Sequence, residues 1–109
     1  MDRVLSLLGI AAKAGRIVSG SFSVEDAVRK RKARLVLIAK DAKENTAKTF
    51  SDKCSYYKIP FRFYGSKEAL GRAVGRESRA CVAVTDGGFA GSILGQLPLE
   101  KELEEDHDF

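Results

Sequence analysis

Apolar residues recur three and four positions apart along three stretches of the chain, which is the spacing of an amphipathic helix. The apolar faces consist of Val4, Leu8 and Ala11 in the first stretch, Val24, Ala27 and Val28 in the second, and Phe50, Cys54 and Tyr57 in the third. Asp2, Ser21 and Asp41 precede these stretches and are residue types that cap helix N-termini. Gly15 follows the first stretch, where a glycine commonly ends a helix. We therefore predict a first helix between Asp2 and Gly15, a second that runs to about residue 32, and a third over about 43–57.

Four shorter apolar runs have the length and composition of β-strands, at 17–19, 35–39, 61–64 and 79–85. The run at 35–39 is continuously apolar, as expected for a central strand that is covered on both faces. Two further short helices are predicted, one over 66–71 with Ser66 as its cap and one over about 88–96 after a turn at 86–88. Helices that alternate with short apolar strands predict one α/β domain, a three-layer α/β/α sandwich.

The positive charge of the chain lies in its first 99 residues. Residues 100–109 contain six acids and one base, so residues 1–99 carry a net charge of +9 within a total of +4. We expect a folded domain over 1–99 and an acidic, disordered tail over 100–109. A folded body with this charge favours a polyanionic partner. We expect no membrane span, because no run of about 18 apolar residues occurs. The start of the chain lacks signal-peptide features, so a cytoplasmic protein is expected.

Residues that could perform catalysis or bind a metal are few. The one histidine, His107, lies in the predicted tail, and Cys54 and Cys81 stand 27 positions apart, outside any C-x-x-C motif. Zinc frameworks and nucleophilic triads are therefore not expected. We interpret the two cysteines as buried, reduced thiols, although counting alone also allows a disulfide. The sequence predicts no enzyme, no metal site and no cofactor.

Two features of the sequence favour contact with phosphates. Five cations occupy six positions at 29–34, although cations at a helix end also interact favourably with the helix dipole, and both interpretations stay open. Four segments, at 20–23, 40–43, 65–67 and 76–79, should meet at one side of the sheet, where helix N-termini present free N–H groups. They contribute the cations Lys40, Lys43, Lys67, Arg76 and Arg79. They also contribute Phe22, which is either an aromatic that packs on a base or a core residue.

Several runs of residues, taken together, resemble a known family. They are the sequences at 8–20, 32–42, 44–46, 52–61, 66–75 and 83–90, which agree with the family in order and in spacing. The chain resembles the ribosomal-protein superfamily typified by the archaeal large-subunit protein L7Ae, and within it the bacterial YlxQ-like branch. The resemblance covers about residues 3–97 and implies a four-stranded mixed sheet between the helical layers.

The resemblance also implies binding of structured RNA, in particular a kink-turn, by a monomeric, ribosome-associated protein. In that family the start of the second helix enters the RNA groove at sheared G·A pairs, and a later loop packs on an extruded nucleotide. Mapped onto this sequence and joined with the converging segments, the RNA-binding residues are Gly20, Ser21, Phe22, Ser23, Lys40, Lys43, Lys67, Arg76, Glu77, Ser78 and Arg79.

This chain departs from the family pattern at three positions of the second helix. The pattern has Asn, Glu and Lys where this chain has Phe22, Ser23 and Asp26. Loss of a base-contacting amide or of a lysine can each remove about 1–3 kcal/mol of discrimination. An alternative is therefore a protein-interaction module on the same fold, with lost or weakened specificity for kink-turns.

Overall fold

A computed structural model describes residues 2–97 of the chain. Helices and strands alternate in the predicted order: α1 (Arg3–Lys13), β1 (Ile17–Ser19), α2 (Ser21–Arg29), β2 (Leu35–Ile38), α3 (Glu44–Tyr57), β3 (Phe61–Phe63), α4 (Lys67–Ala73), β4 (Cys81–Val84) and α5 (Gly87–Leu94). The predicted acidic tail over 100–109 lies outside the described residues. None of the helices within 2–97 is both long and apolar enough to cross a membrane.

The four strands form one mixed sheet in the order β1-β4-β2-β3. Strand β4 is antiparallel to β1 and to β2, whereas β2 and β3 are parallel. Three strands therefore end, after Ser19, Ile38 and Phe63, at the same edge at which β4 begins with Cys81. We call this edge the site end of the sheet and the opposite edge the far end.

Helices cover both faces of the sheet, and alternate residues of β2 serve two separate cores. Leu35 and Leu37 pack with residues of α1, α4 and α5, whereas Val36 and Ile38 pack with residues of α2 and α3. All four side chains are fully buried, as expected for a central strand. The predicted three-layer α/β/α sandwich and its four-stranded mixed sheet are confirmed. Cys54 and Cys81 both lie in the second core as free thiols.

Three of the predicted helix signals are confirmed. Asp2 caps α1, since its Oδ1 accepts a hydrogen bond from the backbone N of Leu5 at 3.0 Å. Ser66 caps α4 in the same way, with Oγ accepting from the backbone N of Ala69 at 3.0 Å. Gly15 follows α1 with φ +75°, the left-handed conformation that ends a helix and that glycine adopts without strain.

Two predicted caps are wrong. Ser21 is the first residue of α2, and the cap position is Gly20 with φ +92°, which contributes no side chain. The cap position of α3 is Lys43, not Asp41. Asp41 Oδ1 instead accepts a hydrogen bond from the backbone N of Lys67, the first residue of α4, at 2.8 Å. The carboxylate thus caps a helix that is near in space, which the order of the chain does not reveal.

Two helix boundaries also differ from the prediction. Helix α2 ends at Arg29 rather than near residue 32, because Arg31 adopts a left-handed backbone conformation with φ +59°. Helix α5 begins at Gly87, and the predicted turn at 86–88 is its first turn, with Asp86 accepting from the backbone N of Phe89 at 2.9 Å.

Candidate functional site

The four segments that the sequence predicted to converge do meet at the site end. Main-chain hydrogen bonds join three of them, from Lys40 N to Gly65 O (2.8 Å) and from Arg79 N to Lys67 O (2.9 Å). The fourth segment is bonded to the start of β4, from Gly20 N to Cys81 O (3.1 Å). The backbone N of Lys67 also donates to the side chain of Asp41. Because the main chain takes part in each of these bonds, the polar side chains of these segments start from fixed backbone positions.

Arg79 occupies the junction between β1, the start of α2 and the loop before β4. Its Nε donates to Ser19 Oγ at 3.1 Å, and its Nη1 donates to the carbonyl of Ser78 at 2.8 Å. A Cβ added to Gly20 would lie 3.8 Å from Nε, so the main chain entering α2 runs beside the guanidinium. The positive charge of Arg79 is therefore held in one place before any ligand binds.

Gly71 determines the position of the loop at 75–79, which we call the α4–β4 loop. A Cβ added to Gly71 would lie 2.5 Å from Ser78 Cα and 2.9 Å from the carbonyl carbon of Glu77, closer than carbon atoms approach without a bond. The backbone N of Arg76 also donates to the carbonyl of Gly71 at 2.7 Å. The loop therefore lies directly on α4, and Arg76, Glu77 and Ser78 are exposed on its outer side.

Helices α2 and α3 both begin at the site end, and neither has a side-chain cap. The other helices of the described chain are capped, by Asp2, Ser66 and Asp86. The first backbone N–H groups of a helix have no partner within the helix, and together with the helix dipole they favour an anion. Two uncapped helix starts at one edge of a sheet thus form a surface suited to phosphates.

A groove of about 510 Å³ lies between the start of α2 and the α4–β4 loop. Its polar lining consists of Ser19, Ser23, Arg76 and Arg79, and residues of α1 and β1 form the apolar part together with Val74 at the end of α4. Phe22, next to Ser23 on α2, is 83% exposed. The interpretation of Phe22 as a core residue is therefore wrong, and its ring is accessible to a ligand.

The cations of the site end are not neutralised by neighbouring acids. The ion pairs formed among residues 2–97 do not include Lys40, Lys43, Lys67, Arg76 or Arg79. Asp26, which stands where the family pattern has a lysine, pairs with Arg29 at 2.8 Å and with Lys30 at 3.3 Å. Its negative charge is offset within α2, so it leaves the positive potential of the groove largely intact.

The structure brings most of the predicted site residues together, to different degrees. Ser23, Arg76 and Arg79 line one groove, and Gly20 lies beside Arg79. Lys67 is bonded to Arg79, whereas Lys40 is bonded to Gly65 and not to a lining residue. The remaining predicted residues lie on the elements around the groove: Ser21, Phe22, Lys43, Glu77 and Ser78. Ser19 and Gly71, which position Arg79 and the α4–β4 loop, were not among the predicted site residues. A glycine inside a short helix is a signal of close backbone approach, and it could have identified Gly71.

The described residues offer little for catalysis. Burial raises the pKa of the Cys54 thiol to about 11 and that of Cys81 to about 12, so neither provides a reactive thiolate near neutral pH. Within 2–97, no three His, Cys, Asp or Glu residues are grouped so that they could hold a metal ion. Fixed cations, uncapped helix starts and one exposed ring define a surface for binding a polyanion.

A basic ligand surface on a three-layer α/β/α sandwich agrees with the family that the sequence resembles. The chain belongs to the ribosomal protein L7Ae/L30e/S12e/Gadd45 family, whose model matches residues 2–93. The family resemblance drawn from the sequence is thereby confirmed, and so is the expectation that the chain is not an enzyme.

Two sequence relatives are named as RNA-binding proteins. The chain is 47% identical over 91 residues to the RNA-binding protein YlxQ of Bacillus subtilis (strain 168), which covers 84% of this chain and 91% of the relative. It is 34% identical over 89 residues to the RNA-binding protein YlxQ of Enterococcus faecium, which covers 82% of this chain and 85% of the relative. The chain is therefore a YlxQ-like member of the family.

Two solved structures share the fold. A protein with unknown function from Bacillus halodurans C superposes with a TM-score of 0.85 at 36% identity, covering 88% of this chain and 97% of that chain. The 15.5 kD RNA binding protein of Giardia lamblia superposes with a TM-score of 0.75 at 29% identity, covering 84% of this chain and 81% of that chain.

Proposed function

We propose that this protein binds structured RNA through the groove at the site end and the helix starts beside it. The observation that carries the proposal is the meeting of four segments at one edge of the sheet, which brings Arg76, Arg79, Lys40 and Lys67 to that edge. Three of the segments are joined to one another by main-chain hydrogen bonds, and the fourth is bonded to the start of β4. Cations and free N–H groups at such a place fix an RNA by its phosphates. The RNA-binding relatives support this assignment.

Within structured RNA, a kink-turn is the motif that we propose as the preferred ligand, in ribosomal or in other RNA. The start of α2 and the α4–β4 loop flank one groove. The family resemblance implies that the first would contact the sheared G·A pairs and the second an extruded nucleotide. Phe22 stands where the family pattern has an amide that contacts a base. Its exposed ring can stack on an unpaired base, which does not require a hydrogen bond.

The proposal is tested with a kink-turn RNA and a matched RNA in which the sheared G·A pairs are replaced by Watson–Crick pairs. Binding is measured for the full chain at about 150 mM salt, where non-specific binding is weak, with a Kd on the order of 10⁻⁴–10⁻⁶ M. Markedly tighter binding to the intact kink-turn is expected. Equal, weak binding to both RNAs would contradict kink-turn recognition.

Variants locate the binding surface. Arg76→Gln and Arg79→Gln should each weaken binding, and the dependence of log K on log salt should become shallower by about one for each lost phosphate contact. Lys48→Gln is the matched control, because Lys48 is an exposed cation of α3 paired with Asp52 at 3.3 Å, outside the four segments. If Lys48→Gln changes binding as much as Arg76→Gln does, binding is not localised at the groove.

The alternative function, a protein-interaction module, is favoured by one observation, the 83% exposure of Phe22. Phe22→Ala distinguishes the two functions. An exposed ring contributes little to the stability of the folded state, so its removal should change ligand affinity and leave stability nearly unchanged. If Phe22 stacks on a base, its loss should cost about 1–3 kcal/mol of RNA binding. Unchanged RNA affinity, together with loss of an apolar protein partner, would favour the interaction module.

A further inference from the structure

A second groove, of about 550 Å³, lies at the far end of the sheet. It is formed where α2 and α3 end, where β2 and β3 begin, and along one side of α5. Its lining includes three cations, Arg31, Arg34 and Lys58, and no acid. Four residues of α5, Gly87, Ala90, Gly91 and Leu94, form one wall. The groove shares no lining residue with the candidate RNA interface.

The basic run at 29–34 divides into two parts in the structure. Arg29 and Lys30 pair with Asp26 on their own helix, as cations at a helix end often do. Arg31 and Arg34 lie beyond α2, and the ion pairs among residues 2–97 include neither of them nor Lys58. The cations that line the groove therefore have no acid that neutralises them within this part of the chain.

Arg31 and Lys58 both occupy backbone conformations that favour glycine. They have φ of +59° and +61°, and they are the two non-glycine residues with positive φ within 2–97. Each follows a helix end at which a backbone hydrogen bond closes back onto the last turn, from Lys32 N to Ala27 O and from Ile59 N to Cys54 O. Glycine is usual at such positions because a Cβ is strained there. Both strained residues line the same groove, which indicates that their side chains have a function there.

Gly91 is a third residue that weakens local structure at this groove. It lies inside α5, where glycine lowers helix stability relative to alanine. A Cβ at Gly91 would contact nothing within 4 Å, so packing does not require a glycine here. What the missing side chain provides is open space on the wall of the groove. Three residues that are unfavourable for the local structure thus line one concave basic surface.

Arg31 is also held in position within the groove. Its Nη1 donates to the carbonyl of Tyr57 at 3.2 Å, and its guanidinium lies 5.5 Å from the centre of the Tyr57 ring. These contacts join the end of α2 to the end of α3. A guanidinium fixed beside an aromatic ring, with exposed Arg34 and Lys58 near it, resembles in chemistry the cation and aromatic surfaces that track single-stranded nucleic acid.

We propose that the far-end groove is a second RNA-binding site, which contacts the sugar–phosphate backbone of an unpaired strand. The identity of the ligand as RNA rests on the proposed function, whereas its polyanionic character rests on the groove itself. Strand β2 is four residues long, about 13 Å, so one folded RNA can reach both ends of the sheet. The protein would then hold a structured motif at one end and a flanking strand at the other.

The test is a titration of the full chain with a short oligouridylate, followed by backbone amide NMR and by anisotropy of a labelled strand. Amide signals of Gly87, Gly91 and Lys58 are expected to shift. Lys58→Gly removes a cation and suits the left-handed backbone, so the midpoint of urea denaturation should not fall. The slope of log K against log salt for this groove should nevertheless become shallower by about 0.7.

Gly91→Gln fills the groove without changing the charge, and it should suppress the far-end shifts while the protein stays folded. Lys48→Gln, which removes a cation elsewhere, should leave those shifts in place. The proposal is overturned if the far-end amides stay unmoved, if Lys48→Gln acts like Lys58→Gly, or if a polyglutamate peptide binds the groove more tightly than the oligouridylate.

The experiment tests the two proposed sites independently. Shifts confined to Ser21–Ser23 and the α4–β4 loop would leave the proposed function standing without a second site. Far-end shifts in a protein that does not bind the kink-turn RNA would leave the second groove standing and remove the proposed function.

Discussion

Replacement of Gly71 by alanine should destabilise the protein, although alanine is the better helix former. In the interior of α4 the change gains up to about 1 kcal/mol of helix propensity. The new Cβ, however, would lie 2.5 Å from Ser78 Cα and 2.7 Å from the backbone N of Ser78. Non-bonded carbon atoms settle about 3.5–4.0 Å apart, so the α4–β4 loop must move by roughly 1 Å or more.

The opposing contact is main chain, which cannot rotate away as a flexible side chain can. Overpacking of this kind costs about 1–3 kcal/mol, and contact with a backbone favours the upper part of that range. After the gain in helix propensity is subtracted, we expect Gly71→Ala to lower the free energy of unfolding by about 1–2 kcal/mol. RNA binding should weaken as well, because the displaced loop carries Arg76 and Arg79.

Gly91→Ala is the matched control for this change. Gly91 lies inside α5, and a Cβ there would contact nothing within 4 Å, so the same substitution should stabilise the fold by roughly 0.5–1 kcal/mol. Both variants are compared with the natural chain by urea denaturation, with the slope m checked for constancy so that midpoint differences report stability. A Gly71→Ala protein as stable as Gly91→Ala would refute the reasoning that the loop is packed against Gly71.

Two further predictions concern the stability of the fold. Asp86→Ala should lower the free energy of unfolding by about 1 kcal/mol, because the carboxylate that accepts from the backbone N of Phe89 is lost, and urea denaturation measures this. An Asp86→Asn protein, which keeps a capping side chain, should lose much less. The free energy of unfolding should also fall as the pH rises from about 9 towards 12. Burial raises the thiol pKa values of Cys54 and Cys81 to about 11 and about 12 in the folded chain, whereas an exposed thiol of the unfolded chain has its ordinary pKa near 9. The unfolded chain therefore loses these protons first, which favours unfolding over this pH range. A Cys54→Ala, Cys81→Ala double variant that shows an undiminished fall over this range would contradict the assignment to the thiols.

The alternation of helices and strands could be predicted from the sequence, because the helical repeat and the continuous apolar runs both result from burial in the two cores. Val24, Ala27 and Val28 repeat at helical spacing because α2 buries one face, and Leu35 to Ile38 are all apolar because β2 is covered on both. Cap assignments were less reliable. A cap is recognised by residue type, and Asp41 has the right type but bonds to a helix start 26 positions away.

The convergence of three site segments was also predictable, because each follows a strand and these strands run in the same direction. The fourth segment, at 76–79, precedes β4 and reaches the site end because β4 is antiparallel to its neighbours. The accessibility of Phe22 was left open because aromatic residues commonly pack in cores. In the structure Phe22 is 83% exposed, because it lies outside the buried face of α2 that Val24, Ala27 and Val28 form. Residue type left the role of Phe22 undecided, whereas its position relative to the buried face of the helix decides it.

The basic run at 29–34 was visible in the sequence, but the far-end groove that two of its cations line was not. Local rules place glycine at left-handed helix ends, so a cation such as Arg31 or Lys58 gives no sign, in the sequence, that the backbone is strained there. Helices α2 and α3 both run from the site end to the far end, so their positive dipole ends lie at the site end and their negative ends at the far end. Dipoles alone would make the two ends of the sheet opposite in potential. The unpaired cations beyond α2 and α3 reverse that expectation at the far end, which is why a polyanion can be bound at both.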